Sequence, residues 1–274
     1  MSVYPNGVGI KLNTAAFSND QIQALKSKLS KKDLIRIYGL AGVGKGTLSK
    51  MISESLAIPN IESSLILRCT TLIYETENLE ETDENTDLVF DKMKISTNST
   101  GLTFEVDGRI IAKNDLKNSF VDTYVSHYAQ NIHIREKFDN ALKDLVENKM
   151  TTASIFDGRG SHEPYLVEAE EKGFNVIRIL VDCDLKTKAD RYVQAIIDTR
   201  KVENPTYDPN GSEMEELFEE FQKTVAERDQ NDIRNILEKN LGLISADSGL
   251  LDTANLTPQE ALETALSFIE TRVK

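Results

Sequence analysis

A glycine-rich run that contains one lysine is the clearest candidate for chemistry in this sequence. Its nine residues are Gly39, Leu40, Ala41, Gly42, Val43, Gly44, Lys45, Gly46 and Thr47. Closely spaced glycines let the backbone curl, so that successive N–H groups point at one concave spot and can hold an anion. A lysine in such a loop adds a cation for the outer phosphates of a nucleoside triphosphate. The run therefore predicts a phosphate-binding loop.

The segments on either side of this run are those that a phosphate loop requires. Residues 34–40 form a short apolar run typical of a buried strand, and residues 47–56 carry apolar side chains at helical spacing. A helix that begins at the loop adds the positive end of its dipole to the anion site. The general motif has Ser or Thr directly after the lysine, where it contacts Mg²⁺. Here that position is Gly46, and Thr47 follows it.

Composition and charge narrow the class of protein. The 274 residues are enough for one large α/β domain or two small ones, and a net charge of −13 argues against a nucleic-acid partner. No apolar run approaches the roughly 18–20 residues of a membrane span, and no secretory signal is visible. Cys69 and Cys183 are far apart without metal-ligand spacing, which excludes a disulfide scaffold and a zinc ribbon. We expect a cytoplasmic protein with no membrane partner.

The rest of the chain alternates predicted strands and helices. Further strands are predicted at 151–156, 175–181 and 243–246. Helices are predicted over 164–172, 185–199, 214–229 and 258–272, with two more over 116–147 that meet near Asn131. The acidic run 75–87 is expected to be a solvated loop or frayed helix, and 88–112 a small antiparallel sheet. This alternation predicts a wound parallel sheet with helices on both faces.

Residues 1–33 stand apart from this pattern as an N-terminal extension, followed by one domain over 34–274. Residues 19–30 could form a short surface helix. Two interpretations of this extension remain open: it is a solvated tail, or it forms a helix that packs on the core.

Several further motifs follow the phosphate loop in a fixed order. Gly-Lys-Gly-Thr at 44–47 is the form typical of nucleoside monophosphate kinases. The motifs that come after it are Glu62-Ser63-Ser64 with Arg68, Ser126 with Arg135, Asp157-Gly158-Arg159, and Glu227-Arg228-Asp229 with Asp232. From about residue 34 to residue 273 the sequence resembles the bacterial-type cytidylate (CMP/dCMP) kinases, a family of P-loop nucleoside monophosphate kinases.

This resemblance implies a fold and an activity. The fold is an α/β P-loop kinase with a small antiparallel β insert at about 88–113, the acceptor-nucleotide domain, and a helical lid at about 191–224. The activity is ATP-dependent phosphorylation of (d)CMP to (d)CDP by in-line transfer. Mg²⁺ would bridge the ATP phosphates largely through water, with no protein ligand assigned. The family resemblance also suggests a monomer that binds only small-molecule substrates.

The resemblance also assigns roles to individual residues. Around the transferring group it places Lys45, Arg159, Arg191 and Asp157; Asp157 ends an apolar strand, where ligand crevices form, and fits a magnesium–water or arginine-orienting role. On the acceptor side it places Ser63, Arg68, Ser126 and Arg135, with Arg68 on the phosphate and Arg228 and Asp232 on the ribose. Arg200 and Lys201 fall in the lid.

Three positions depart from the family pattern and leave alternatives open. Gly160 stands where the family has a second aspartate, Asn235 where it has an arginine that reads the pyrimidine, and Lys117 where it has an arginine. Losing polar base contacts can cost orders of magnitude in discrimination. A P-loop kinase for another nucleoside monophosphate, with relaxed or changed base preference, is therefore one alternative. A non-catalytic nucleotide-binding sensor is the other.

Overall fold

A computed structural model describes residues 9–40, 42–158, 163–221, 223 and 246–273 of the chain. The described strands are β1 (Ile10–Lys11), β2 (Asp33–Tyr38), β3 (Asn60–Glu62), β4 (Met93–Asn98), β5 (Gly101–Val106), β6 (Arg109–Ile111), β7 (Ser154–Asp157), β8 (Asn175–Asp182) and β9 (Gly249–Asp252). The described helices are α1 (Asn19–Lys28), α2 (Lys45–Leu56), α3 (Ser64–Glu77), α4 (Asp83–Lys92), α5 (Lys113–Leu116), α6 (Ser119–Tyr128), α7 (Ile132–Asp144), α8 (Glu163–Glu171), α9 (Leu185–Glu203), α10 (211–221) and α11 (Pro258–Arg272).

The larger sheet is parallel throughout, in the strand order β1-β9-β8-β2-β7-β3. Its central strand β2 has all six residues buried, as expected of a parallel strand covered on both faces. Parallel strands end at one edge of the sheet, so the segments that follow β2, β3, β7, β8 and β9 meet there. The predicted parallel sheet is confirmed.

Helices cover both faces of this sheet. Ile35 and Ile37 of β2 belong to a hydrophobic cluster with side chains of α1, α2 and α11. Leu34 of β2 and Phe156 of β7 belong to a second cluster with side chains of α3, α7 and α8. Because successive side chains of a strand alternate between faces, β2 anchors both layers. The short apolar run before the phosphate loop is thus the centre of the core.

The insert is a three-stranded antiparallel sheet made of β4, β5 and β6. It occupies 93–111, whereas residues 88–92, which the sequence pattern assigns to it, end α4.

The expectation of a solvated loop or frayed helix over 75–87 is also wrong for most of the run, since only 78–82 lie between α3 and α4. Thr82 caps α4 by accepting a hydrogen bond from the N–H of Asn85 at 3.2 Å, and Asp83 and Glu84 suit the positive end of the helix.

The helical segment 116–147 is divided as predicted. The side chain of Asn131 accepts from the N–H of Ile134 and caps α7, directly after α6 ends. The closing helix α11 begins with a capping box at Thr257 and has the predicted bounds.

The predicted last strand over 243–246 is wrong at Ala246, which lies in a turn; residues 243–245 are outside the described part of the chain. The last strand of the sheet is β9, over Gly249–Asp252. It is short, with Leu250 and Leu251 as its only large apolar residues, whereas 241–244 is a more apolar run. Pairing with β8 and β1 on either side overrides the weak local preference.

The segment predicted to be a lid contains α9 and α10, which share an apolar cluster of their own. Val193 and Ile197 of α9 pack with Leu217 of α10, and the rings of Tyr192 and Phe221 lie 5.3 Å apart. The Arg200 guanidinium donates to the Tyr207 hydroxyl and the Glu213 carboxylate, each at 2.6 Å. Arg200 therefore links parts of the lid to one another.

Residues 9–33 contribute to the same sheet and core. β1 pairs with β9 at the edge of the larger sheet, and α1 begins with a capping box at Ser18. Leu25 of α1 is fully buried in the cluster that contains Ile35 and Ile37.

We predict that Leu25→Ala lowers the free energy of unfolding by about 2–5 kcal/mol, because it leaves a cavity beside β2. Gln23→Ala, on the exposed side of the same helix, should change it by less than about 0.5 kcal/mol. Urea unfolding of the two variants measures this. Equal stabilities would contradict the packing of α1 on the core.

Candidate active site

The glycine-rich loop follows β2 directly and leads into α2. A Cβ atom on Gly39 would lie 2.3 Å from the carbonyl oxygen of Val181, so only glycine fits where the loop leaves the sheet. Gly44 caps α2 with a φ of +90°, a conformation that glycine adopts at no steric cost. Ala41 is outside the described part of the chain. The loop thus brings backbone N–H groups to the start of a helix, as an anion site requires.

Lys45 and Asp157 lie together at this edge of the sheet. The Lys45 ammonium donates to the carbonyl oxygen of Leu40 at 3.1 Å, across the loop. The Asp157 carboxylate ends β7, and its Oδ2 atom would be 3.7 Å from a Cβ atom on Gly46. Burial raises the pKa of Asp157 above its usual range, and the charges of Lys45 and Arg36 act to lower it. The carboxylate and the loop lysine therefore belong to one electrostatic site.

Arg36 lies beneath this site and was not among the residues that sequence reasoning selected. It is fully buried at the middle of β2. Its Nη1 atom donates to the carbonyl oxygens of Ile37 at 3.0 Å and Phe156 at 3.2 Å, which joins β2 to β7 one residue before Asp157. An arginine inside an otherwise apolar strand was the available signal, because buried charges are rare unless they are held by polar groups.

Arg191 reaches the loop from α9. Its Nη1 atom donates to the carbonyl oxygen of Val43 at 3.2 Å and would lie 3.5 Å from a Cβ atom on Gly44. Arg191 therefore lies against the phosphate loop. It reaches the loop from the helix that follows β8, whereas Asp157 reaches it from β7 on the other side of β2. The buried Lys188, one turn earlier, packs its Cβ 3.5 Å from the corresponding position on Gly42.

Glu62 and Ser63, at the end of β3, continue the site on the other side. The Ser63 hydroxyl donates to the carbonyl oxygen of Asp157 at 3.3 Å. Lys113 and Lys117 both donate to the Glu62 carboxylate. Burial acts to raise the pKa of Glu62, but the hydrogen bonds and charges of these two lysines hold it below its usual range. Lys117, the replacement for a family arginine, is thus fixed beside Glu62.

Arg68 projects from α3 toward α6. Its Nη1 atom donates to the carbonyl oxygen of Leu116 at 2.9 Å, and its Nη2 atom pairs with the Asp122 carboxylate at 2.5 Å. Leu116, which accepts from Arg68, is followed in the chain by Lys117, which donates to Glu62. These two adjacent residues therefore connect Arg68 to Glu62. A continuous series of contacts therefore runs from Arg68 through Glu62 and Ser63 to Asp157.

The remaining acceptor-side residues have different positions. Ser126 is exposed on α6, one turn beyond Asp122. Arg135 of α7 donates from Nε to the carbonyl oxygen of Ala129 at 2.6 Å, where it caps the last turn of α6. Arg159, Arg228 and Asp232 lie outside the described residues, as do Gly160 and Asn235.

The structure therefore brings some of the predicted site residues close to one another. It brings Lys45, Asp157, Arg191 and Ser63 to one edge of the sheet and links Arg68 to them. Within the described ranges, no three His, Cys, Asp or Glu side chains are grouped as a metal ion would require. None of the described helices is long and apolar enough to cross a membrane.

Such an arrangement can neutralise anions on both sides of Asp157. The loop N–H groups and Lys45 offer donors on one side, and Lys117 and the Arg68 fork offer cations on the other. Guanidinium groups bind two oxygens of a phosphate at once. Two phosphate-bearing ligands could thus be held facing each other, which is the requirement of phosphoryl transfer.

Comparison with known proteins agrees with this geometry. The family model described as cytidylate kinase matches residues 35–271. A cytidylate kinase of Thermosipho melanesiensis is 25% identical over 242 residues, which cover 88% of this chain and 98% of that protein. A cytidylate kinase of Aquifex aeolicus is 23% identical over 239 residues, which cover 87% of this chain and 96% of that protein.

We predict that Lys45→Met raises the pKa of Asp157 further, because it removes a cation that favours the ionised carboxylate. A ¹³C NMR titration of the carboxyl groups, with Asp157 assigned from an Asp157→Asn spectrum, measures this. Lys50→Met changes a lysine of the same helix that pairs with Glu54, and it should leave the titration of Asp157 unchanged. If both variants titrate like the wild type, Lys45 does not act on Asp157.

Proposed function

Because this chain belongs to the cytidylate kinase family, we propose that its site transfers the γ-phosphoryl group of ATP to CMP or dCMP. The sequence resemblance to that family is confirmed, and the chain is a nucleotide kinase. Phosphorylation of cytidylate is the activity to which the family and its relatives point. ATP as donor, dCMP as a second acceptor and the individual residue roles are our proposal.

One observation carries the proposal. The phosphate loop and Lys45 lie on one side of Asp157, and a series of contacts leads from Asp157 to Arg68 on the other. In-line transfer needs a donor and an acceptor aligned across a shared, positively charged space, and little covalent chemistry from the protein. The residues proposed for the two ligands lie on either side of the half-buried Asp157 carboxylate, because β7 runs between β2 and β3 in the sheet.

On the donor side, the residues fit ATP together with Mg²⁺. The start of α2 offers N–H groups and a favourable dipole to the phosphates, and Lys45 adds a cation beside them. Mg²⁺, when bound, would offset the charge on the phosphates, and we assign its coordination to phosphate oxygens and water. The buried Asp157 carboxylate, against Gly46, fits because it can accept hydrogen bonds from such waters. Arg191 would keep the loop positively charged.

On the acceptor side, Arg68 is the proposed ligand of the monophosphate. Its Nη2 atom already pairs with the Asp122 carboxylate, and a phosphate offers similar oxygens with more charge. Lys117 would add a second cation, as a point charge instead of a fork. Ser63 would hold the end of β3 against Asp157.

The other assignments rest on the family resemblance alone. We propose that Ser126 and Arg135 face the pyrimidine and the acceptor phosphate, that Arg228 and Asp232 bind the ribose, and that Arg159 joins the transferring group. Arg135 would have to leave its contact with Ala129 to reach a ligand. A cytoplasmic monomer that binds only small molecules is the setting we propose.

The comparisons do not favour the two alternatives, another acceptor or a non-catalytic sensor. The departures at Gly160 and Asn235 still bear on how strictly cytosine is selected, because those positions carry base contacts in the family pattern. Measured acceptor preference distinguishes these cases.

We predict ATP-dependent turnover of CMP and dCMP in a coupled ADP-release assay with Mg²⁺, compared with UMP, AMP and GMP. Lys45→Met should lower kcat by about two orders of magnitude, since a preorganised cation facing developing charge is removed. Lys50→Met is the matched control and should keep the wild-type rate. ATP binding without turnover of any acceptor would favour the sensor, and preference for UMP or a purine would favour the other kinase.

We predict that Asp122→Asn lowers the KM of the acceptor by up to about fivefold and leaves the KM of ATP unchanged. The carboxylate competes with the acceptor phosphate for Arg68, and a partly exposed pair of this kind is worth about 0.2–1 kcal/mol. Asp144→Asn, which removes the exposed pair with Lys149 at the end of α7, is the control. An unchanged or higher acceptor KM would show that Arg68 does not hold the acceptor.

A further inference from the structure

Arg191 is held by more than the phosphate loop. Its Nη1 atom donates to the hydroxyl oxygen of Thr253 at 3.0 Å as well as to the Val43 carbonyl, and its Nη2 atom donates to the Thr253 carbonyl at 2.7 Å. Thr253 follows β9, two strands away from β2 in the sheet. The guanidinium therefore ties the root of the lid helix α9 to the end of the last strand.

Thr253 itself also contacts the loop. It is 5% exposed, and its hydroxyl lies 3.0 Å from the Val43 carbonyl oxygen and 3.2 Å from that of Asp182. Its N–H donates to the Asp182 carbonyl at 2.8 Å, which fixes the backbone against the end of β8. One buried hydroxyl thus accepts from Arg191 while it donates to a loop carbonyl, two roles that a single hydroxyl oxygen can combine.

The Val43 carbonyl matters because of the peptide to which it belongs. In a planar trans peptide the C=O and N–H bonds point in opposite directions. Holding the Val43 oxygen toward Thr253 and Arg191 therefore directs the N–H of Gly44 away from these two side chains. The neighbouring residues Gly42 and Gly44 have φ angles of +76° and +90°, so the loop's own conformational preferences constrain this peptide weakly.

We propose that Thr253 is a positioning residue for the triphosphate: with Arg191, it fixes the orientation of the Val43–Gly44 peptide so that the Gly44 N–H faces the donor phosphates. The inference deepens the proposed function, since it takes ATP as the ligand of the loop. Thr253 acts through Val43 and Arg191 and does not touch the nucleotide. A donor already oriented before binding costs no reorganisation when the phosphates arrive.

Thr253→Val tests this, because valine keeps the branched shape and removes the hydroxyl. We expect the KM of ATP to rise about tenfold, the scale of one hydrogen bond to a charged group, with the acceptor KM within about twofold of wild type. Thr264→Val is the matched control: Thr264 is 2% exposed, and its hydroxyl donates to the Glu260 carbonyl within α11. It should leave both KM values unchanged.

Two further variants keep the test decisive if Thr253→Val folds poorly. Thr253→Ser retains the hydroxyl and should retain the wild-type KM of ATP; a rise like that of Thr253→Val would overturn the proposal. In a double-mutant cycle, Thr253→Val should add little to Arg191→Met, because both act on one carbonyl. Full additivity, or a KM of ATP for Thr253→Val equal to that of Thr264→Val, would also overturn it.

Failure of the positioning role and failure of the kinase function give different results. If the wild type turns over none of the five acceptors, the proposed function fails. Calorimetric titration with Mg·ATP, without acceptor, still compares Thr253→Val with Thr264→Val. A tenfold weaker affinity for Thr253→Val alone would support the role of Thr253, and equal affinities would refute it.

Discussion

Two phosphate groups that meet head-on repel each other, and offsetting this repulsion is the constraint that the site must satisfy. The chain makes the task harder, because its net charge is −13. Cations must therefore be concentrated locally, against the field of the whole molecule. The parallel sheet achieves this by ending its strands at one edge: Lys45 follows β2, Glu62 with its two lysines ends β3, and Arg191 comes from the helix after β8.

A concentration of cations would itself destabilise the fold if nothing offset it. In the described part of the chain, these cations contact protein oxygens. Arg68 has the Asp122 carboxylate, Lys113 and Lys117 share Glu62, and Lys45 has the Leu40 carbonyl. Under the proposed function, substrate phosphates would replace one oxygen partner of these cations by another.

Signals that are local in the sequence predicted the parallel sheet, the strand–loop–helix unit around Lys45 and the strand end at Asp157. The phosphate loop combines turn chemistry, a lysine and its flanking strand and helix within about two dozen residues, so a single segment carries the evidence. Asp157 was found because a strand end is visible from the run that precedes it. The contacts that join distant segments could not be predicted: Arg68 with Asp122, Arg36 with Phe156, and Arg191 with Thr253. Thr253 was missed for a definite reason, since the more apolar run at 241–244 drew the last strand away from Gly249–Asp252.

Helix α9 belongs to two parts of the molecule at once. Its 19 residues span about 28 Å, with Arg191 braced against the loop near one end and Val193 and Ile197 in the apolar cluster of the lid. A continuous helix is stiff, so a displacement of one end also displaces the rest of the helix. Because α9 is one continuous helix, the α9–α10 cluster cannot be displaced as a unit unless the contacts of Arg191 with the loop also shift or break.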